Sequence, residues 1–180
     1  MKHSYRYQYE DIELRPIEER DIETLRVWRN DSSNSKYIRK IPEITPSQQR
    51  AWFESYLQNE SEFGFSIVDG NDELLGSVFL YGIEGTQAEF GRLIVGAAKG
   101  KGIGGKTTNA ILHLAFEELG LTKVVATVSV DNIAALVIYT KVGFRVTGRQ
   151  FNEAACMDEF SIEIDATRFS RLHPGDGFKE

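Results

Sequence analysis

Apolar residues recur at helical spacing in the first part of the chain. A short apolar segment, "IELRP" (12 to 16), predicts a strand, and Ile22, Leu25 and Trp28 follow it, one at every third position. That period places the three side chains on one face and predicts an amphipathic helix from about 18 to 30. The next segment, "DSSNSKYIRKIPE", is polar and predicts a loop.

The segment "TPSQQRAWFESYLQ" carries the signals of a helix start. Thr45 suits the N-cap, Pro46 suits the first helical position, and Gln48 completes a capping box, in which two side chains bond each other's backbone N–H groups. A second helix is therefore predicted from Pro46 onward.

From residue 63 to 95 the pattern is typical of strands. "FGFSIV", "LLGSVFLYG" and "AEFGRLIV" are short apolar or alternating runs, and "DGND" supplies turn residues between the first two. Three strands are predicted, the first two as a hairpin, so the sheet begins as an antiparallel one.

The rest of the chain alternates helical and strand patterns. "TTNAILHLAFEEL" predicts a helix ending at Gly120, "KVVATVSV" a strand, "NIAALVIYTKV" a helix ending at Gly143, and "FRVTGRQF" and "MDEFSIEID" two closing strands. The order β-α-α-β-β-β-α-β-α-β-β predicts a layered α+β (α/β) fold, with helices on both faces of a mixed, mostly antiparallel sheet. The chain of 180 residues is expected to form one domain, from 1 to 170, followed by a loose tail from 171 to 180.

Composition narrows the classes of partner. The net charge of -6 and the pI near 5.2 argue against nucleic acid, because phosphate contacts need clustered cations. No apolar run reaches the roughly 18 residues of a membrane helix, and the N-terminus has no apolar stretch of signal-peptide length. Cys156 is the only cysteine, so no internal disulfide can form. We therefore expect a cytoplasmic protein with no membrane contact.

The stretch "AKGKGIGGKTT" (98 to 108) matches two anion-binding patterns. From Gly100 it has the P-loop spacing G-x-x-x-x-G-K-T, and from Lys99 it is a basic residue followed by x-x-G-x-G. In both patterns small residues let backbone N–H groups approach an anion at the positive end of the next helix. The preceding strand ends near Val95, too early for a P-loop, and too few residues follow Thr107 for a parallel sheet. The second pattern is therefore favoured.

Residues 88 to 144 resemble the core of the GNAT acetyltransferase superfamily, and "LRPIEERDIETL" is similar to that family's first strand and helix. The matching pieces are Lys99-x-x-Gly102-x-Gly104, Asn132, Ala135, Tyr139 and the "YTKVGF" ending. Within the superfamily the chain resembles the Rim-type or amino-sugar acetyltransferase branch. The family usually has Arg or Gln where this sequence has Lys99, which supplies charge without a planar fork.

The resemblance implies acetyl-CoA as co-substrate and no metal. The amides of Lys101 to Lys106 would hold the pyrophosphate, and the strand end from Leu93 to Val95 would bond the pantetheine arm through its backbone. For Asn132 a plain N-cap role is an alternative compatible with this one. The implied set is Leu93, Ile94, Val95, Lys99, Gly100, Lys101, Gly102, Ile103, Gly104, Gly105, Lys106, Asn132, Ala135 and Tyr139.

Two residues are implied in the transfer itself. Tyr139 would protonate the thiolate that leaves when an amine attacks the thioester, the alternative being an aromatic that only packs. A carboxylate or a water relay would accept the proton of the amine, and Glu89, in "AEFG", is the best-placed carboxylate because its strand should line the cleft. The alternatives for Glu89 are that it binds the positive charge of the substrate or is an ordinary exposed strand residue. Ser129 and Asp131 are weaker candidates, and direct transfer needs no nucleophile such as Cys156.

The acceptor is expected to be a small-molecule amine selected largely by residues 28 to 56. This segment resembles the one in acetyltransferases of nucleotide-linked amino sugars, and Trp28, Arg29 and Tyr37 are candidate substrate contacts. Further cations and aromatics that suit such a ligand are Lys36, Arg39, Lys40 and Trp52. The alternative is that the tryptophans are core anchors and that the cations belong to a solvated loop.

Other acceptors and functions are left open at this stage. A polyamine or a protein N-terminus would be acetylated by the same mechanism. A non-catalytic acyl-CoA-binding module and a P-loop nucleotide-binding protein are the alternatives to an enzyme of this kind, and a homodimer is also left open.

Overall fold

An eight-stranded mixed sheet runs through the described part of the chain, with helices on both faces. The computed structural model describes residues 2–37, 42–97 and 99–174. The first elements are β1 (Tyr7–Tyr9), β2 (Ile12–Pro16), a 3-10 turn (Glu19–Asp21), α1 (Ile22–Asn30), α2 (Ser32–Ser35) and α3 (Pro46–Gln58). The middle strands are β3 (Phe63–Asp69), β4 (Leu74–Glu84) and β5 (Gln87–Val95). The last elements are α4 (Ile103–His113), a π-helical turn (Leu114–Glu118), β6 (Lys123–Ser129), α5 (Ile133–Val142), β7 (Arg145–Asn152), β8 (Met157–Asp165) and α6 (Ala166–Leu172).

The strand order in the sheet is β1-β2-β3-β4-β5-β6-β8-β7. Neighbouring strands are antiparallel except β5 and β6, which are parallel. The predicted layered α+β fold is confirmed, since the predicted strands and helices are present in the predicted order. No helix within the described residues is long and apolar enough to cross a membrane.

Alternation along β4 divides the core into two layers. Val78 and Leu80 belong to the cluster that contains buried residues of α4, α5 and α6. Phe79, which lies between them, packs on the opposite face with buried residues of α1 and α3. The sheet therefore has an α4/α5 face and an α1/α3 face, because successive strand residues point to opposite sides.

Local signals at helix ends act as the sequence predicts. Thr45 Oγ1 accepts a hydrogen bond from the Gln48 N–H at 3.3 Å, and Gln48 Oε1 accepts one from the Thr45 N–H at 2.9 Å. This confirms the capping box at the start of α3. Gly143, with a φ of 118°, ends α5 in the left-handed region, where a residue without a Cβ is favoured.

Two boundaries predicted from the sequence were wrong, one at the start of α4 and one after α1. α4 begins at Ile103 rather than near Thr107, because Gly102, at a φ of 77°, turns the chain directly into the helix. The predicted loop after α1 contains the helical turn α2, because the Asp31 side chain caps it by accepting the Ser33 N–H at 2.8 Å.

The chain beyond residue 170 is not loose where the structure describes it. α6 continues to Leu172 and buries Phe169 to 2% exposure, and a ring nitrogen of His173 lies 3.0 Å from the Val142 carbonyl oxygen. Asp165 caps this helix by accepting the Arg168 N–H at 2.8 Å. A helix of only two turns contains too few apolar residues for a helical period to be recognised from sequence. Residues 175–180 lie outside the described part.

A buried ion pair fixes the start of α1 to the sheet. Arg15, 1% exposed, donates from Nη1 and Nη2 to the two carboxylate oxygens of Asp21 at 2.7 and 2.9 Å. Ser66 of β3 donates to the same carboxylate at 2.7 Å. Burial opposes the charge of Asp21, but the hydrogen bonds from Arg15, from the Glu18 N–H and from Ser66, together with the charge of Arg15, outweigh it and hold the pKa of that carboxyl below its usual range. These bonds hold the N-terminal end of α1 against β2 and β3.

Candidate functional site

The parallel strands β5 and β6 pair along only part of their length. Gln87 to Glu89 lie opposite Lys123 to Val125, whereas β5 continues to Val95 and β6 to Ser129. From residue 90 onward the two strands separate, and within the described residues no strand takes the place of β6. The result is a V-shaped fork whose vertex is at Glu89 and whose β5 side offers free backbone hydrogen-bonding groups.

A β-bulge lies on the open side of this fork. Ser77 pairs with Ile94 and Phe79 with Gly91, so Val78 alone faces both Arg92 and Leu93. Arg92 has a φ of 51°, in the left-handed region that non-glycine residues rarely adopt. A bulge of this kind bends the strand and re-aims its backbone groups, which helps β5 turn away from β6.

The glycine loop continues from the open end of the fork. Gly96 packs so closely on the Trp28 ring that an added Cβ would lie 1.8 Å from a ring carbon. The chain then reaches Gly102, whose carbonyl oxygen accepts the N–H groups of Gly105 and Lys106 at 3.0 and 3.1 Å. The amides of Ile103 and Gly104, the first two helical residues, precede these bonds and have no acceptor in the helix itself, so the start of α4 is suited to bind an anion.

The lysines of the loop are partly engaged elsewhere. Lys99 Nζ donates to Ser33 Oγ at 2.9 Å, and Lys106 Nζ lies 2.5 Å from Asp11 Oδ1 and 3.4 Å from Glu10 Oε2. Backbone amides, rather than these two ammonium groups, are therefore the donors that the loop presents as it stands.

Helix α5, which follows β6, carries the predicted site residues Asn132 and Tyr139. Asn132 caps α5, because its Oδ1 accepts the Ala135 N–H at 3.2 Å. Tyr139 lies two turns further on, and its ring packs edge-on against Phe90 at 5.4 Å and tilted against Phe144 at 5.7 Å. Phe90 is the first β5 residue beyond the vertex, so Tyr139 lies beside the fork on the α4/α5 face.

Tyr139 has the properties of a proton donor. Burial raises its pKa to about 12, so the phenol keeps its proton at neutral pH. Its hydroxyl makes no hydrogen bond to any residue in the described ranges, which leaves it available to a ligand.

Glu89 reaches the vertex from the other face of the sheet. Its neighbours Ala88 and Phe90 are buried on the α4/α5 face, so the carboxylate points to the α1/α3 face. There Glu89 Oε1 accepts a hydrogen bond from the Tyr81 hydroxyl at 2.7 Å. Glu89 and Tyr139, the two predicted catalytic residues, thus flank the vertex from opposite sides.

A cavity of about 610 Å³ opens on the α1/α3 face beside the β5 side of the fork. Its lining includes Leu25 and Arg29 of α1, Glu43 ahead of α3, Gln49 and Trp52 of α3, and Ser77, Phe79, Arg92 and Ile94 of the sheet. A cavity of this size accommodates a small molecule next to the open edge of β5.

The predicted substrate contacts have different positions. Arg29 lines the cavity, as does Trp52, whereas Trp28 packs on Gly96 under the loop. Tyr37 does not line the cavity. The Lys36 Nζ atom lies 5.0 Å from the centre of the Tyr37 ring. The predicted residues Arg39 and Lys40 lie outside the described part of the chain.

Several residues of the site were not predicted. Arg92, Phe79 and Glu43 line the cavity, and Tyr81 binds Glu89. Strand alternation could have placed Tyr81 and Phe79 on one face, but nothing in the sequence signals the bulge that brings Arg92 to the cavity.

The structure also shows the positions of Ser129, Asp131 and Cys156, which the sequence analysis considered for the transfer step. Ser129 is buried at the end of β6, and its Oγ accepts the Asp131 N–H at 3.3 Å. Cys156 is exposed between β7 and β8. Among the described residues no group of three or more His, Cys, Asp or Glu side chains is arranged to hold a metal ion.

Comparison with known proteins decides the family. A family model described as "Acetyltransferase (GNAT) domain" matches residues 11–145. The chain belongs to the GNAT acetyltransferase family. The predicted GNAT fold and acetyl-CoA-dependent N-acyltransferase activity are thereby confirmed, whereas the Rim-type branch stays a prediction.

Relatives of this GNAT chain include two named acetyltransferases. It is 28% identical over 144 residues to spermidine N(1)-acetyltransferase of Escherichia coli (strain K12), covering 79% of this chain and 77% of the relative. It is 32% identical over 113 residues to mycothiol acetyltransferase of Amycolatopsis mediterranei (strain U-32), covering 58% of this chain and 35% of the relative.

A solved structure shares the GNAT fold. The spermidine N-acetyltransferase from Vibrio cholerae, in complex with CoA and spermine, superposes with a TM-score of 0.82 at 23% identity. The match covers 88% of this chain and 98% of the other.

The P-loop alternative was wrong for this GNAT chain. Thr107, which would have to reach a bound Mg²⁺, is 0% exposed inside α4, and Lys106 is paired with Asp11. The match from Gly100 to Thr107 is a coincidence of spacing in a glycine-rich loop.

Proposed function

We propose that this GNAT enzyme transfers the acetyl group of acetyl-CoA directly to a primary amine of a small molecule at the fork between β5 and β6. The observation that carries the proposal is the coincidence of three features: an unpaired β5 edge, an anion-binding loop at its open end, and a buried tyrosine at its vertex. Each suits one part of the reaction.

The cofactor would enter from the loop side. Of the predicted amides from Lys101 to Lys106, those up to Gly104 would hold the pyrophosphate at the positive end of α4, because the Gly105 and Lys106 N–H groups donate to the Gly102 carbonyl oxygen. The backbone of Leu93 to Val95 would then pair with the amide groups of pantetheine, in the way that an extended ligand adds to a sheet edge. This path leads the thioester toward the vertex, between Glu89 and Tyr139.

Tyr139 would act as the general acid. When the amine attacks the thioester carbonyl, the C–S bond breaks and sulfur leaves as a thiolate, which needs a proton. The burial that raises the pKa of Tyr139 would also make a thiolate in the same site more basic. The phenol–sulfur hydrogen bond would therefore strengthen as negative charge develops.

Glu89 would act as the general base for the amine. Its carboxylate lies at the vertex on the side of the cavity, where it can take the proton that the amine must lose. Ser129 and Asp131, at the end of β6, are the alternative residues for a water-mediated route.

A polyamine is the acceptor class with most support from relatives. The spermidine N(1)-acetyltransferase of E. coli aligns over most of this chain, and the negative net charge of this chain also suits a cationic substrate.

A nucleotide-linked amino sugar is the second candidate. Arg29 and Arg92 line the cavity, and guanidinium groups bind phosphate with two parallel hydrogen bonds. Trp52, in the same lining, offers a ring face to a sugar or base.

An amine panel read by release of the coenzyme A thiol tests the acceptor. We expect kcat/KM for spermidine to exceed that for a uridine-diphosphate amino sugar by at least about tenfold, a difference of about 1.4 kcal/mol in transition-state binding. Turnover confined to the sugar nucleotide would overturn the polyamine assignment.

Arg29→Gln separates the two candidates at one position. Loss of a charge-assisted contact should raise KM for a phosphate-bearing acceptor about tenfold, whereas KM for spermidine should not rise. Reactions without amine give the hydrolytic background.

A further inference from the structure

The hydroxyl of Tyr81 and the carboxylate of Glu89 are held together across neighbouring strands. The two residues are direct partners in the β4–β5 register, and the hydroxyl donates to Oε1 at 2.7 Å. Within the described part of the chain, Glu89 Oε2 accepts no hydrogen bond. One carboxylate oxygen is thus fixed and the other is left for a ligand.

Gly91 makes this contact possible. A Cβ built at Gly91 would lie 2.9 Å from the Tyr81 hydroxyl oxygen and 3.3 Å from a ring carbon. The phenol therefore passes over the Gly91 backbone to reach Glu89, a route that a larger residue would obstruct.

Arg92 and Glu62 hold the Tyr81 ring from the cavity side. The Arg92 guanidinium carbon lies 4.5 Å from the centre of the Tyr81 ring and 5.5 Å from that of Phe79. Arg92 Nη1 is also paired with Glu62 Oε1, and Glu62 is 7% exposed. A cation stacked on the ring and tied to a buried carboxylate restricts the orientations of the phenol.

The Tyr81 hydroxyl keeps its proton at neutral pH. Burial raises the pKa of Tyr81 well above its usual value, and the adjacent Glu89 carboxylate raises it further, while Arg92 lowers it only in part. Tyr81 therefore remains a hydrogen-bond donor through the pH range in which acetyl transfer is measured.

We infer that Tyr81 is a positioning residue for acetyl transfer: its hydroxyl fixes Glu89 at the vertex of the fork, with Oε2 directed to the acceptor nitrogen, and the Arg92–Glu62 pair holds Tyr81 in place. The inference rests on the proposed function of Glu89 as the proton acceptor. In the transfer, the acceptor amine gives its proton to Glu89, the N–C bond forms as the C–S bond breaks, and Tyr139 gives its proton to the leaving thiolate.

The residues opposite Glu89 in the sheet are Tyr81 of β4 and Val125 of β6. The nearest cation on β6 by register is Lys123, which pairs with Gln87. Lys123 is engaged with Glu163 of β8 at 2.6 Å, so Tyr81 is the neighbour that bonds Glu89 directly.

The kinetics of Tyr81→Phe, measured with acetyl-CoA and the best amine of the panel, test the inference by separating kcat from KM. A carboxylate that is no longer held at the vertex is less often in the productive geometry, so kcat should fall about tenfold. KM for acetyl-CoA should not change, because the glycine loop and the open edge of β5 are untouched. An unchanged kcat would overturn the inference.

Tyr56→Phe is the matched control. Tyr56 is also buried on the α1/α3 face, and its hydroxyl bonds the Gly64 N–H and carbonyl oxygen at 2.9 and 3.2 Å rather than Glu89. It should lower the unfolding temperature without lowering kcat. If Tyr81→Phe does not fold, Glu62→Gln should lower kcat by a smaller factor, and an unchanged kcat there counts against the inference.

Glu89→Gln distinguishes failure of the inference from failure of the proposed function. Should this variant keep the wild-type kcat, the assignment of Glu89 as proton acceptor is wrong. Should it lose activity while Tyr81→Phe keeps the wild-type kcat, only the positioning role of Tyr81 is wrong.

Discussion

Replacing Tyr139 by phenylalanine is expected to lower kcat by about 10²- to 10⁴-fold, the range typical of loss of a general acid. KM for acetyl-CoA should change little, because the ring contacts with Phe90 and Phe144 are retained. The unfolding temperature should be unchanged or slightly higher, since the Tyr139 hydroxyl has no hydrogen-bond partner to lose among the described residues. Steady-state thiol release and thermal unfolding measure the three quantities.

Tyr7→Phe is the control for this substitution. The Tyr7 ring also packs on the α4/α5 face, stacked on His113 at 5.6 Å, but its hydroxyl lies 3.3 Å from Glu117 and away from the fork. An equal loss of kcat in both variants, or an unchanged kcat in Tyr139→Phe, would show that the phenol of Tyr139 does not protonate the leaving thiolate.

Gly105→Glu is expected to raise KM for acetyl-CoA by about tenfold or more while leaving the fold intact. A Cβ at Gly105 meets no atom within 4 Å, so the side chain fits. A carboxylate in the first turn of α4 would repel a pyrophosphate bound there, with an interaction of about 1 to 4 kcal/mol at 4 Å depending on exposure. Kinetics at varied acetyl-CoA concentration measure the effect.

Gly105→Gln separates charge from bulk. It has the size of glutamate without its charge, and both variants should gain about 0.5–1 kcal/mol of stability because glycine is a poor helix former. If Gln raises KM as much as Glu does, the effect is steric, and electrostatic binding of pyrophosphate at the start of α4 is not supported.

Local features of the sequence predicted the ends of helices α3 and α5. The capping box of Thr45 and Gln48 and the C-cap at Gly143 depend on residues a few positions apart, so they could be recognised without the fold. The spacing from Asn132 to Tyr139 equally placed both on one helix.

The fork itself could not be predicted in this way. It depends on where β5 stops pairing with β6, and on a bulge at Arg92, both of which are set by tertiary packing. The alignment of Tyr81 with Glu89 required the β4–β5 register, which is fixed only when the strands meet.

Short elements were missed for a related reason. β1 and α6 contain few residues and are held by contacts with distant parts of the chain, such as the burial of Phe169 in the main core. Propensity and period carry little information over such lengths.

Hydrogen exchange with and without coenzyme A tests the central claim, that the fork between β5 and β6 is the cofactor site. Peptides covering residues 90 to 95 and 99 to 106 should exchange more slowly when coenzyme A is bound, whereas β8 should be unaffected. Protection confined to the cavity between α1, α3 and the sheet, with none at the fork or the glycine loop, would contradict the account.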